Sequence, residues 1–271
     1  MTQHQPPPVV LVFAGSDPTG GAGIEADILT LASLGCRAAP VITAITVQDT
    51  INVHEFYPVN AEGVISQARA ILEDMPVAAI KTGMLAQPET IAAIATIVRS
   101  YPDIPLVVDP VLASGAGDQL STESLEDAYR STLLPLARLI TPNSLEIRRL
   151  AHQGDSIDAC AQELLTLGCD KVLVTGTHER TERVHHKLFS RAGLEESFDV
   201  ERLPYSYHGS GCTLASACAA GFAHGIEDID AIGHALHYTQ QTLIHGYRPG
   251  MGQHLPHHFY WATGKPVPDR S

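Results

Sequence analysis

Positive charge is scarce in this chain. Its 271 residues carry 17 Lys and Arg against 30 Asp and Glu, a formal net charge of −13. Affinity for nucleic acids comes largely from cations that neutralise backbone phosphates, so DNA, RNA and anionic membrane surfaces are poor partners. Long apolar runs are missing as well. No stretch reaches the ~18 residues that span a bilayer, and the opening MTQHQPPPVV lacks the basic and apolar regions of a secretory signal. The expectation is a cytoplasmic protein. Cysteine is sparse: Cys36, Cys160, Cys169, Cys212 and Cys218 form no CxxC pair and are odd in number, unlike a disulfide framework or a zinc site. Most read as buried small hydrophobes. The 14 histidines are more numerous, but His234 with His237, or His254 with His257 and His258, lack an accompanying ligand set such as HExxH. Charged residues make up 17% against 44% hydrophobic, which leaves ample apolar surface for a core and too little polarity for disorder.

What is present alternates. Val- and Ile-rich runs at residues 9–14, 39–46, 78–82, 106–110, 139–141, 172–175, 184–189 and 198–203 read as strands. Segments of helical period fall between or after them at 23–34, 61–74, 88–99, 122–134, 145–151, 157–167, 212–224 and 229–245. This pattern predicts an α/β fold with a largely parallel central sheet covered by helices on both faces. The length suits one large or two small domains. With no linker, charge block or internal repeat to divide the chain, a single domain over residues 9–260 is expected, between a flexible N-terminal tail (1–8) and a C-terminal tail (261–271). The His-rich stretch from Gly246 to Tyr260 reads as a loop with a loosely ordered end. Ligands of open α/β sheets lie beyond the carboxyl ends of the strands, and four strand-terminating segments here are unusual.

After the first strand comes Gly15-Ser16-Asp17-Pro18-Thr19-Gly20-Gly21-Ala22-Gly23, a loop dense in glycine where strand turns into helix. Such a loop brings backbone N–H groups close to a ligand, although glycine-rich turns also serve structure alone. A sharper signal is His208-Gly209-Ser210-Gly211-Cys212-Thr213. Here free N–H groups at a helix start converge on Cys212, whose pKa a helix N-terminus would lower, giving an anion hole with a candidate base. The plain alternative is a capped helix with a buried cysteine. Third, Asp109 and Glu146 each follow a predicted strand, and two such acids can hold the Mg²⁺ that accompanies a nucleotide; separately, Asp-Pro is a turn starter and Glu146 a first-turn helix acid. Fourth, Gln48 offers the donor and acceptor edge that suits an aminopyrimidine, and Met84 adaptable apolar packing.

Together these segments resemble one family, the hydroxymethylpyrimidine/phosphomethylpyrimidine kinases of thiamine biosynthesis, within the ribokinase-like superfamily. AGSDPTGGAGIEAD, TAITVQDT, IKTGML, VVDPV, TPNSLE and HGSGCTLASA occur in the family's order and span nearly the whole chain. The resemblance implies a ribokinase-like fold and ATP- and Mg²⁺-dependent phosphorylation of 4-amino-5-hydroxymethyl-2-methylpyrimidine and then of its monophosphate, by a homodimer. It implies that Gly15, Ala22, Gln48, Met84 and Val111 line the pyrimidine pocket. Asp109 and Glu146 would hold the metal, Asn143 and Ser210 would serve the nucleotide, and Gly209, Gly211 and Cys212 would form the catalytic anion hole. Cys212 stands where ribokinases carry Asp, which favours the pyrimidine branch.

Three departures remove positive charge from the family pattern. Thr175 and Met251 stand where lysines are usual, and the segment after VDPV reads LASGAGDQL in place of a lysine-bearing AKSGDxL. Either the phosphate-bearing second step is less efficient, or Arg248 or Lys187 substitutes. A flap over the cleft is expected at Ser114–Asp118. The competing readings are a pyridoxal kinase of the same superfamily, against which Gln48 speaks, and a pyrimidine-binding regulatory protein without catalysis, against which GSGC, Asp109 and Glu146 speak.

Overall fold

Alternation along the first strand decides the architecture. In β1 (Val9–Ser16), Val9, Leu11 and Phe13 enter one apolar layer while Val10, Val12 and Ala14 enter another. A strand buried on both faces reads as a continuous hydrophobic run. The computed structural model describes residues 6–112 and 122–262, and β1 lies inside a nine-stranded sheet. In spatial order the strands are β3 (Val53–Pro58), β2 (Arg37–Gln48), β1, β4 (Val77–Thr82), β5 (Leu106–Val108), β6 (Leu139–Ile140), β7 (Lys171–Val174), β8 (Arg183–Ser190) and β9 (Gly193–Glu201). The strands from β2 to β7 run parallel; β3, β8 and β9 each pair antiparallel with the preceding strand.

One layer holds α1 (Gly23–Ser33), α7 (Ser210–Ala223) and α8 (Asp228–Ile244). Small residues let α7 and α8 close up: a Cβ on Gly221 would sit 2.8 Å from the Ala231 Cβ. The other layer holds α2 (Ala61–Asp74), α3 (Pro88–Ser100), α4 (Glu123–Ala128), α5 (Ser144–Leu150) and α6 (Ile157–Leu167). Strand order reverses at β1, which has β2 on one side and β4 on the other. Ligand sites of open sheets form at such a switch point, and the loops after β1, β4, β5 and β6 meet there.

Several elements differ from expectation. The helix expected over 122–134 ends at Ala128 and continues as a wide π-helical turn, Tyr129–Leu133, and a 3₁₀ turn, Leu134–Leu136. Pro135, which has no N–H, sits in that last turn, where an α-helix would need a donor. The strand expected at 198–203 begins at Gly193, and β3 has no counterpart among the expected strands. Both are sheet edges with most residues exposed, so neither carries an apolar run. The Gly246–Tyr260 stretch is held more firmly than expected. Leu255 exchanges two backbone hydrogen bonds with Tyr247, and the His258 carbonyl accepts from Ser33 Oγ (2.7 Å) and the Tyr238 hydroxyl (2.9 Å). Of the expected tails, residues 1–5 and 263–271 lie outside the described residues. No helix among the described residues is long and apolar enough to cross a membrane.

Candidate active site

The loop after β1 is organised by Asp17, whose side chain is 1% exposed. Its oxygens accept from Thr19 N (2.8 Å), Thr19 Oγ1 (2.9 Å), Ala22 N (2.8 Å) and His208 Nε2 (2.8 Å). Burial opposes the charge, but these donors hold the Asp17 carboxyl below its ordinary value. The His208 bond ties this loop to the second glycine-rich segment, 191 residues further on. There Gly209 caps α7 with φ +84°, and a Cβ on it would collide with the Gly21 carbonyl. The two loops therefore touch backbone to backbone, a contact that only glycine permits.

Helix α7 begins with Ser210, Gly211 and Cys212, whose N–H groups have no partner one turn earlier in the helix and which line a cavity of about 700 Å³. The same cavity is lined by Gly209, by Gly15, Ala22, Gln48, Met84 and Val111, and by Asp109, Asn143 and Glu146. All twelve residues singled out in the sequence thus face one space. A Cβ on Gly211 would lie 3.9 Å from both Asp109 carboxylate oxygens, so the helix start and the acid are neighbours. Glu146 receives the N–H of Asn143 (2.9 Å) while Asn143 Oδ1 accepts from Leu145 N (2.9 Å) and Glu146 N (3.0 Å), a reciprocal cap on α5. At the end of the cavity near β2, Gln48 Nε2 donates to Thr46 Oγ1 (2.8 Å), and Met84 Sδ approaches Gly15.

Burial raises the Asp109 carboxyl to about 6, with Asp27 adding to the shift and Lys81 opposing it. Burial likewise raises Glu146 to about 8, and the Asp109 carboxylate adds to that. Two acids that penalise each other's charge are a donor set that a cation relieves. No cluster of three or more His, Cys, Asp or Glu side chains suited to a metal occurs among the described residues.

The thiol departs from expectation. Its place at a helix N-terminus suggested a lowered pKa, yet burial pushes Cys212 up to about 12, outweighing the Lys81 ammonium and the Gly23 N–H that favour the thiolate. Asp109 and Asp27 add to the rise. The residue keeps some surface facing the cavity, and its thiol lies close enough to Asp109 to help hold that carboxyl's charge. Cys36, Cys160, Cys169 and Cys218 are buried, as expected.

The expected replacement cations are elsewhere. Lys187 pairs with Asp158 (2.9 Å) on the side of β8 opposite the cavity, and Arg248 bonds the carbonyl of Met251, itself 80% exposed. None of the three lines the cavity, whereas Thr175, Arg149 and Arg202 do. Lys187 fails because its neighbours on β8, Val184 and His186, take the inward positions. The expected flap, Ser114–Asp118, lies outside the described residues.

Two features escaped the sequence reading. One is an apolar end of the cavity formed by Val184 and His186 of β8, Val200 of β9, and Leu236, Thr239 and Leu243 of α8. Alternation on the strand and the 3- and 7-residue spacing on the helix carry the signal for it. The other is Lys81, inside IKTGML. It is wholly buried and donates to both oxygens of Asp27, at 2.8 and 2.9 Å.

A sheet of this order, with glycine-rich loops and paired acids at its switch point, is the arrangement of the ribokinase-like kinases. The chain belongs to the phosphomethylpyrimidine kinase family, whose profile matches residues 17–258. It is 42% identical over 252 residues to the hydroxymethylpyrimidine/phosphomethylpyrimidine kinase of Mycobacterium bovis, covering 91% of this chain and 92% of that one. Among solved structures it resembles the phosphomethylpyrimidine kinase of Clostridium difficile, with 33% identity, a TM-score of 0.75, and coverage of 87% of this chain and 99% of that one. It also resembles a pyridoxal kinase from Staphylococcus aureus in complex with AMP-PCP and pyridoxal, with 26% identity, a TM-score of 0.85, and coverage of 94% and 95%.

Proposed function

We propose that the protein transfers the γ-phosphoryl group of ATP to the hydroxymethyl group of 4-amino-5-hydroxymethyl-2-methylpyrimidine, and then phosphorylates the resulting monophosphate. The observation that carries this reading is the juxtaposition of the α7 N-terminus with Asp109 in one cavity of about 700 Å³, within a chain of this family. Support for ATP as donor comes from the Staphylococcus aureus neighbour, described with AMP-PCP. The apolar end between β8 and α8 suits a nucleobase. His186 there is 7% exposed and burial lowers its pKa to about 4, so it stays neutral, with Nδ1 unpartnered.

Phosphoryl transfer passes through a loose transition state in most analyses, so positioning and charge do most of the catalysis. The substrate hydroxyl oxygen forms a bond to the γ-phosphorus as the bond to ADP breaks, and the hydroxyl proton passes late, with little help from a base, to an oxygen of the transferring phosphoryl group and from there to water. A thiol that burial pushes up to about 12 suits that demand: Cys212, beside Asp109, orients the hydroxyl. The N–H groups of Gly209, Ser210, Gly211 and Cys212 face the transferring group. Gln48 meets the aminopyrimidine edge, with Gly15, Ala22, Met84 and Val111 around the ring, and Asn143 stands beside the phosphates. Asp109 and Glu146 fit Mg²⁺, which supplies charge neutralisation for the nucleotide phosphates. A homodimer accords with the cross-strand pair Ile45 and Tyr57 on β2 and β3, both more than half exposed.

Coupled ADP release with the pyrimidine alcohol, its monophosphate and pyridoxal tests the reading. The alcohol and the monophosphate are expected to be turned over and pyridoxal much less. A pyridoxal rate equal to or above the pyrimidine rate reassigns the substrate; binding without ADP release leaves a non-catalytic pyrimidine-binding protein.

A further inference from the structure

A buried acid and the histidine bound to it have no part in the mechanism described above. The Asp17 side chain is 1% exposed, and His208, 12% exposed, lines the cavity beside it. One atom of the acid makes most of the contacts: Asp17 Oδ2 accepts from the Ala22 N–H (2.8 Å), the Thr19 hydroxyl (2.9 Å) and His208 Nε2 (2.8 Å). Ala22 belongs to the wall assigned to the pyrimidine ring, and His208 leads directly into the Gly209 cap of α7. The wall that holds the acceptor and the helix start that faces the transferring group therefore meet at a single oxygen.

Each side of that oxygen is anchored on its own. Glu25 of α1 accepts from the Asp17 N–H and from the Ser16 hydroxyl, both at 2.7 Å. The Ser16 carbonyl accepts from the Thr46 hydroxyl, whose oxygen accepts from Gln48 Nε2, both at 2.8 Å. Hydrogen bonds and one peptide link thus run unbroken from Gln48 to His208. On the far side the His208 N–H donates to the His254 carbonyl (2.9 Å).

A structural staple within the loop does not account for His208. The Thr19 N–H, the Thr19 hydroxyl and the Ala22 N–H already satisfy the acid from its own loop, so the fourth donor contributes the tie to α7. Glycine brings the two segments together: a Cβ on Gly21 would lie 2.9 Å from His208 Cδ2, and one on Gly209 would collide with the Gly21 carbonyl. Such packing is close but has no preferred direction, whereas a hydrogen bond to a carboxylate is directional and strong.

We infer that His208 is a positioning residue for phosphoryl transfer: its bond to Asp17 keeps the loop against the pyrimidine in register with the start of α7, so that the acceptor hydroxyl points at the transferring phosphorus. The inference rests on the kinase reading and adds to it the device that aligns the two reactants.

The test compares His208→Leu, which removes the donor, with His208→Gln, whose amide can place an N–H near the position of Nε2. In the leucine variant kcat is expected to fall about tenfold or more, as small misplacements of reacting groups do. KM for the pyrimidine and for ATP should stay within about threefold, as for an interaction used after binding. Tm should stay close to that of the wild type, since Asp17 keeps three donors. The glutamine variant should recover most of kcat. Wild-type kcat in the leucine variant, or equal losses in both, overturns the inference. Should the leucine variant not fold, His208→Asn, whose shorter amide falls short of Asp17, takes its place with the same two outcomes. Amide hydrogen exchange needs no turnover and separates this inference from the kinase reading. Peptides covering residues 17–23 and the first turn of α7 should exchange several-fold faster in the leucine variant and at nearly the wild-type rate in the glutamine variant, whether or not the wild type turns over pyrimidine. Equal exchange in all three proteins overturns the inference.

Discussion

At the scale of single residues, Cys212 and Thr175 make opposite predictions. On the proposed mechanism Cys212 orients the hydroxyl while protonated at neutral pH, since burial pushes its thiol up to about 12. Cys212→Ala should lower kcat by about 10²-fold, the scale of a misplaced reacting group, with little change in Tm, while iodoacetamide at pH 7.5 should inactivate slowly. Near-full kcat in the alanine variant would mean that the sulfur only packs. Thr175 lines the cavity and Met251 does not. Thr175→Lys should therefore raise kcat/KM for the monophosphate more than for the alcohol, and Met251→Lys should leave both unchanged, because only the former brings a cation to the extra phosphate. Paired steady-state assays on the two substrates decide this. That the twelve candidate residues would meet around one cavity was legible because strand-end loops, glycine-rich turns and strand-end acids carry local patterns. The burial of Lys81 was not: it depends on pairing with Asp27, 54 positions away, and a lysine in a strand looks the same whether it faces water or a carboxylate.

At the scale of elements, strands buried on both faces announced themselves as apolar runs, and the helices of both layers were legible to within a residue or two except near Pro135. The edge strands β3 and β9 were hidden or misplaced because their residues face water, and edges of this kind are kept polar. The apolar end of the cavity was hidden for another reason, since it forms only when β8 meets α8. That junction makes its own prediction. His186→Leu should raise KM for ATP several-fold and leave KM for the pyrimidine unchanged, because His186 lies beyond the reach of the Gln48 end; equal changes in both would place the nucleobase elsewhere. The start of α7 depends on a conformation that L side chains rarely adopt, with Gly209 at φ +84° against the Gly21 carbonyl. Gly209→Ala should lower both Tm and kcat, as strain of about 1–3 kcal/mol implies, and circular dichroism melts beside ADP release check it.

For the whole molecule, the site costs stability that ligands restore. Glu146 is raised from 4.5 to about 8 and Asp109 from 3.8 to about 6. A carboxyl raised on folding binds more protons in the folded state, so ligand-free stability should fall as pH rises from about 4.5 to 8. Asp17 runs the other way: its lowered value adds stability above about 3.8 that disappears as pH falls through its folded pKa. Tm of the ligand-free protein should therefore peak in mild acid. Glu146→Gln should flatten the alkaline limb and Asp17→Asn the acid one, and Mg²⁺ with ATP should raise Tm more at pH 8 than at pH 5. Identical pH profiles for these variants and the wild type would contradict the electrostatics of the site. The central claim, two successive phosphoryl transfers to one pyrimidine in this cavity, is tested most directly by following the reaction with ³¹P NMR. With hydroxymethylpyrimidine and excess MgATP, a monophosphate resonance should appear first and give way to diphosphate resonances as ADP accumulates. ADP accumulating at the same rate without pyrimidine, or no pyrimidine-bound phosphorus at any time, would contradict it.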